Sequence, residues 1–308
     1  MYYFIINPRS SSGKGLKYWW TVKEELDRQE VMYSAIFTRH AGHATEIAGQ
    51  ICSNNPGIKN IVILGGDGTV NEAINGIDNY KEVLLGYIPA GSSNDLARCL
   101  QIPKDPIKAL ANILKPTRFK YLDNGRVTFP DLDIPPRKFA CSSGIGYDAS
   151  VCNEVQESPL KRRLNRYGAG KLVYFAIAIK QMLTVQPANG TVIVNGQKKN
   201  TYKKILLVSS MIHKCEGGGL RMAPNADPTD GQLSVCLVHG LSRLKIIWLM
   251  PMLLLGKHIY FKGVDSFHCT DIEINLDRNA AVHTDGEIPA ICSHIRVTNL
   301  KEQIRMIL

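Results

Sequence analysis

The sequence predicts an α/β chain in two parts. A doubly wound α/β domain covers residues 1–128, and a mainly antiparallel β domain covers residues 129–308. Three observations carry this. Short apolar runs alternate with helical apolar patterns through the first half, which is the signature of a parallel sheet with crossover helices. Pro130, Pro135 and Pro136 then interrupt the chain. Beyond them come short strands with hairpin signals, among them Asn195-Gly196 between two β-type runs.

In chain order, residues 2–7 read as a strand and the following helix carries Leu16, Trp19, Trp20 and Leu26 on its apolar positions. Residues 31–38 form the next strand and residues 44–51 the next helix. The central unit is residues 61–72, IVILGGDGTVNE: a buried strand, a glycine-rich turn and a helix start through Val70, Ala73, Ile74 and Ile77. A strand over 84–89 leads to Ala90-Gly91. Ser92 and Asp95 fit a capping box for the helix that follows. Asp105-Pro106 supplies an N-cap and first-turn proline for another helix ending at Leu114. The stretch 121–138 is expected to be irregular. After it, strands are predicted at 192–194, 202–208, 233–238, 271–276 and 295–299, with helices at 146–155, 167–183 and 241–255; the last residues are free to return to the first domain.

Composition narrows the class. The chain has 308 residues, 44% hydrophobic and 21% charged, enough for two cores. Nothing at the start reads as a signal peptide, and the apolar run at 246–255 is too short to span a bilayer. Eight cysteines without a CxxC pair suggest reduced thiols in a cytoplasmic protein. The net charge of +10 favours anionic partners without choosing among them. No nucleic-acid motif accompanies it, and no nucleic-acid partner is expected.

The chemistry is concentrated in loops at strand ends, where ligands of parallel sheets bind. In the glycine turn, Gly65, Gly66 and Gly68 let the backbone approach a phosphate, and the helix start offers N–H donors. Asp67 inside that turn would repel a phosphate unless a divalent cation lies between them. The turn has neither the Lys-Ser/Thr ending of a Walker A loop nor the spacing of a dinucleotide fingerprint. The polar loop from Asn7 to Gly15, Thr38 and the Gly91–Asp95 loop belong to the same expected rim. Toward the C-terminus, Asp285-Gly286-Glu287 places two acids around a glycine, a turn that can aim both at one point. Asp227 and Asp230, with nearby carbonyls, offer the oxygen ligands that Mg²⁺ prefers, although turn formation explains each acid alone.

Together these motifs resemble the diacylglycerol kinase catalytic-domain family, which includes sphingosine kinases and soluble bacterial lipid kinases. The matching residues are Asn7-Pro8 with Ser10 and Gly13; Gly65-Gly66-Asp67-Gly68-Thr69 with Asn71-Glu72; and Pro89 and Gly91 through Asn94-Asp95. They continue with Gly144, Gly146, Asp148 and Ala149, then Gly217, Gly218 and Gly219, Ala223-Pro224, Asp230-Gly231 and Asp285-Gly286-Glu287. The resemblance implies a β-sandwich for the second domain, ATP and Mg²⁺ as cofactors, and phosphoryl transfer from ATP to the hydroxyl of diacylglycerol or a similar lipid. It places the nucleotide on Asn7, Pro8, Arg9, Ser10, Ser11, Thr38, Gly66, Asp67, Gly68, Thr69, Val70, Asn71, Glu72 and Ser92. It places the metal at Asp227, Asp230 and Gln232, the last through its carbonyl. Asp67, Asp285 and Glu287 are the expected catalytic acids, with the general base left open between Asp285 and Glu287. The site is expected to be complete only when the two domains face each other. Serine at 92 replaces the threonine usual in the Gly-Thr-x-Asn-Asp form and keeps its hydroxyl.

Two rivals share some of these features. An NAD kinase-like enzyme would carry the same glycine turn but not the Asn7-Pro8 loop or the late Asp-Gly-Glu turn. A catalytically silent nucleotide- or lipid-binding regulator need not retain every acid. Lys161, Arg162, Arg163, Arg166 and Lys171 form a basic cluster that could rest on anionic headgroups at the inner face of a membrane. The expected partners are a lipid substrate at a membrane surface and, as further assembly, a homodimer.

Overall fold

The structure, a computed structural model, describes residues 1–157 and 170–308. The chain separates into two compact units, Met1–Asn124 with Lys301–Leu308, and Gly125–Leu300. The change of unit thus falls just before the sequence-based boundary at 128/129, and the last eight residues fold with the first unit.

The first unit holds β1 (Tyr2–Ile6), α1 (Lys14–Arg28), β2 (Tyr33–Phe37), α2 (His43–Asn54), β3 (Lys59–Gly65), α3 (Asp67–Asn75), β4 (Val83–Pro89), α4 (Asp95–Cys99) and α5 (Pro106–Leu114). The strands pair in parallel, in spatial order β2-β1-β3-β4. Beyond β4, Met306 near the chain end pairs in parallel with Leu85. Helices are needed to connect parallel neighbours, and their apolar faces cover the sheet. Phe4, Ile5, Ile6 and all of Ile61, Val62, Ile63 and Leu64 are therefore fully buried, which is why these strands read as continuous apolar runs. Helix α1 buries Trp19, Val22 and Leu26, with Trp19 edge-on to Tyr33 and Phe37. Trp20, expected on that face, is exposed instead, one residue of helical rotation away from Trp19.

Strand order reverses between β1 and β3, so the loops that follow these two strands diverge around a topological switch point, the usual ligand crevice of such sheets. The start of α5 is capped as expected: Asp105 Oδ1 accepts the N–H groups of Ile107 and Lys108. The start of α4 is not. Its N-cap is Asn94, in the left-handed region at φ 50°, and Ser92 makes no cap. Serine is displaced from that role because the loop turns two residues later than the motif suggests.

Strand β5 (Phe119–Thr128) carries the chain out of the first unit. It occupies much of the stretch expected to be irregular, and the prolines fall in the loop after it. The second unit continues with β6 (Arg137–Phe139), β7 (Ser142–Gly146), α6 (Tyr147–Glu157), α7 (Gly170–Thr184), β8 (Ala188–Val194), β9 (Lys198–Met211), β10 (Leu233–His239), α8 (Arg243–Leu255), β11 (Val264–Cys269), β12 (Asp271–Thr284) and β13 (Glu287–Ile307). Pairing among β7–β13 in this unit is antiparallel, in the order β11-β10-β9-β7-β12-β13. The long strands β9 and β12 each pair with β8 along one half and with β7 along the other. This folds the strands around a core of Ile145, Val208, Val235, Ile272, Val282 and Ile295, a sandwich-like arrangement. A second core lies between the outer strand face and the helices, through Val151, Ile177, Met182, Cys236, Ile246 and Leu249. The Asn195-Gly196 turn has φ of 53° and 68°, both left-handed, as a primed hairpin turn requires.

Candidate functional site

In the first unit, the loop after β1 and the turn after β3 are tied together by side chains. Asn7 Nδ2 donates to Thr69 Oγ1 at 3.1 Å, while Asn7 Oδ1 accepts the Arg9 N–H at 3.1 Å. Ser11 and Ser92 meet hydroxyl to hydroxyl at 3.2 Å, joining the first loop to the loop after β4. Thr38 continues β2 through its N–H to the Ile6 carbonyl and lies on the same rim. Gly66 and Gly91 touch backbone to backbone: a Cβ on Gly91 would lie 2.5 Å from Gly66 Cα and 2.6 Å from Asn94 Oδ1. Asn94 in turn clasps its loop, accepting from Gly91 N and Tyr87 Oη and donating to Gly91 O. Helix α3 opens at Gly66 with no side-chain cap, so its first-turn N–H groups suit a phosphate.

The expected nucleotide residues divide. Asn7, Pro8, Arg9, Ser11, Thr38, Gly66, Asp67, Gly68 and Ser92 retain accessible surface, and Ser10 and Thr69 sit just beneath. Val70 and Asn71 are buried in α3, and Asn71 accepts from Asn75. Glu72 is turned to the start of α2, where its carboxylate accepts the Ala44 N–H at 3.1 Å. Asp67, expected to face a cation, accepts the backbone N–H groups of Asp95 at 2.9 Å and Leu96 at 3.4 Å. A helix start is a partner for a carboxylate that sequence spacing does not reveal, because it lies 28 residues away.

In the second unit, Asp285 and Gly286 form the turn between β12 and β13, with φ of 50° and 88° and Thr284 opposite Glu287. The two acids do not converge as expected. Asp285 faces the connection between β6 and β7, accepting the N–H groups of Ala140 and Cys141 at 2.7 Å and of Ser142 at 3.0 Å. Glu287 is exposed, and Gln156 reaches both it, at 3.3 Å, and the Gly286 carbonyl, at 2.8 Å. The acids part because Asp285 lies in the left-handed turn itself and Glu287 starts the next strand, so the alternation that would put residues i and i+2 on one face is broken between them.

Beneath this turn is a group that the sequence did not disclose as a unit: buried His283 and Glu216 with partly buried Asp148. His283 Nε2 lies 3.3 Å from Asp148 Oδ2, and its Nδ1 is 3.3 Å from the Gly286 N–H. His283, Gly144, Ser209 and Cys236 occupy one row across four strands. Gly144 leaves the space, because a Cβ there would be 2.0 Å from Asp148 Oδ2. Burial alone would lower the His283 pKa. The Asp148 carboxylate, with Glu216 and Asp285 behind it, more than offsets this and holds it above the ordinary value. The signal for this cluster was the period-2 relation of His283 to Asp285 together with the Gly144-x-Gly146-x-Asp148 pattern.

The Asp227–Gln232 loop is built from two side-chain turns. Asp227 Oδ1 accepts from Thr229 N and Oγ1, and Asp230 Oδ1 accepts from Gln232 N at 2.8 Å. Both acids are exposed, and carboxylate and carbonyl oxygens are the donor types a hard divalent cation takes. The basic cluster at 161–166 lies outside the described residues, as does the Lys171 side chain.

Comparison with known proteins places this geometry. Residues 1–126 match the diacylglycerol kinase catalytic domain, and residues 141–299 match the YegS C-terminal NAD kinase beta sandwich-like domain. The chain is 31% identical over 290 residues to "Putative lipid kinase YtlR" of Bacillus subtilis (strain 168), covering 93% of each chain. It is 26% identical over 286 residues to a diacylglycerol kinase of the same organism, covering 92% of this chain and 88% of that one. Among solved structures, "a putative diacylglycerol kinase from Bacillus anthracis str. Sterne" superposes with a TM-score of 0.75 at 20% identity, covering 99% of this chain and 96% of that chain; this shows the shared fold. A two-domain kinase with a glycine-turn α/β unit and a sandwich-like β unit is the class so defined. The chain belongs to the diacylglycerol kinase catalytic-domain family, with the YegS-type C-terminal domain.

Proposed function

We propose that this kinase transfers the γ-phosphoryl group of ATP, with Mg²⁺, to the hydroxyl of diacylglycerol or a closely similar lipid. The observation that carries the reading is the glycine-turn start of α3, which opens at Gly66 with no side-chain cap and so leaves its first-turn N–H groups for a phosphate. The relatives' names supply the lipid class. Backbone N–H groups around Gly66 and the hydroxyls of Ser11 and Ser92 bind the donor phosphates. Asp227, Asp230 and the Gln232 carbonyl would hold the cation, which when bound neutralises phosphate charge.

Glu287 is assigned the acceptor proton. Asp285 is assigned to the turn, because both of its oxygens accept backbone N–H groups. Gln156 orients Glu287. Asp67 acts by fixing the loop that carries Ser92 and Asn94.

The test is transfer of labelled phosphate from ATP to diacylglycerol, sphingoid bases and NAD, with and without Mg²⁺. A labelled lipid that requires Mg²⁺ is the expected product. Labelled NADP, or no product from any acceptor, would replace the reading with one of its two rivals.

A further inference from the structure

Helix α8 carries an apolar face turned to solvent. Ile246 and Leu249 are buried in the helix–strand core. Leu244, Ile247, Trp248, Pro251, Leu254 and Leu255 recur at the helical period on the other side and are exposed; Leu244 is 73% and Trp248 76% accessible. A surface helix ordinarily puts charged residues there. The neighbouring α7, packed in the same core through Ile177 and Met182, shows Phe175, Ile179 and Leu183 exposed at four-residue spacing. Tyr260 and Phe261 extend the exposed apolar surface just after α8.

Charge marks what this face meets. No acidic residue occurs between Asp230 and Asp265. Arg243, Lys245, Lys257 and Lys262 are all exposed at the two ends of the helix and in the segment after it. An apolar face holding tryptophan and leucine, edged by cations alone, matches the interface of an anionic bilayer: the aromatic ring suits the headgroup boundary, and lysine and arginine reach the phosphates. No helix among the described residues is long and apolar enough to cross a membrane, and α8 needs only to lie in its surface.

We propose that α8 and the Lys257–Lys262 segment dock the kinase on an anionic lipid bilayer, with Leu244 and Trp248 inserted among the acyl chains. This rests on the lipid-acceptor reading only in that a bilayer would present the substrate. The docking surface shares no residue with the glycine turn or the turn that carries Glu287.

Co-sedimentation of the full chain with vesicles tests it, comparing phosphatidylcholine alone with one part phosphatidylglycerol in three of phosphatidylcholine. The wild-type chain should bind the anionic vesicles. The L244S/W248S variant should lose at least about tenfold in affinity, and K245E/K257E should lose the preference for phosphatidylglycerol. All three should phosphorylate detergent-dispersed lipid equally. Equal vesicle binding by wild type and L244S/W248S would overturn the proposal. So would a wild-type dimer that L244S/W248S dissolves, in the absence of vesicle binding, since the face would then be covered by a second copy. Inactivity of every chain on dispersed lipid would remove the lipid-acceptor reading instead, while the vesicle result would still decide the docking surface.

Discussion

The carboxylate of Asp67 accepts the backbone N–H of Asp95 at 2.9 Å, so the glycine turn after β3 holds the start of α4. An acid that looks like a metal ligand in sequence is, in the fold, a clamp between two loops of one rim. Asp67→Ala should destabilise the protein by about 1–2 kcal/mol, the usual cost of losing a helix-start acceptor, and should raise the KM for ATP. Asp67→Asn keeps one acceptor oxygen and should lose less. Urea unfolding and nucleotide titration of both variants measure the two effects separately.

Asp285 and Glu287 should respond to amide substitution in opposite ways. Asp285→Asn leaves a buried backbone N–H without its acceptor and should cost roughly 1–3 kcal/mol of stability. Glu287→Gln should unfold at the wild-type urea concentration yet lose about 10²–10⁴-fold in turnover, the range for removing a general base. Comparing melting with initial rates separates them; a stable, inactive Asp285→Asn with an active Glu287→Gln would reverse the assignment.

At Gly91 the constraint is contact. A methyl group there would lie within 2.6 Å of both Gly66 Cα and Asn94 Oδ1. Gly91→Ala should push the two loops apart, costing about 1–3 kcal/mol and weakening ATP binding. Calorimetric titration with ATP and thermal unfolding check this.

His283 predicts a pH dependence with a definite sign. Its folded-state pKa is raised above the ordinary histidine value by Asp148, against the effect of burial. The resulting stabilisation is therefore complete below about 6.5 and is lost as pH rises through the raised value. His283→Gln should be less stable than wild type at pH about 6, with the gap narrowing as pH rises through the raised value. A gap that widened with pH would contradict the Asp148 pairing. Because the imidazolium cannot accept the Gly286 N–H, the turn carrying Glu287 should tighten over the same range, measurable as a rise in turnover.

Much of this was legible in the sequence. Periodicity disclosed the alternating strands and helices of the first unit, because each buried strand is a continuous apolar run, and the start of α5 had a local signal at Asp105-Pro106. The primed turn at Asn195-Gly196 was legible because it depends on two adjacent residues. Strand β5 was not, since its residues alternate without a strong apolar run and prolines follow closely. The N-cap of α4 was misplaced because Ser92 and Asn94 compete for the same short loop.

The sequence alone determined which residues could carry chemistry: the glycine turn, the late Asp-Gly-Glu turn and the oxygen-rich Asp227–Gln232 loop. The tertiary structure decided what each acid does. Asp67, Glu72 and Asp285 bind backbone N–H groups brought to them from 28 to 145 residues away. It also decided that the apolar residues of α8 face solvent on one side. Sequence reports residue type and local period; the direction a side chain takes, and the donor waiting there, depend on contacts made only when distant segments pack.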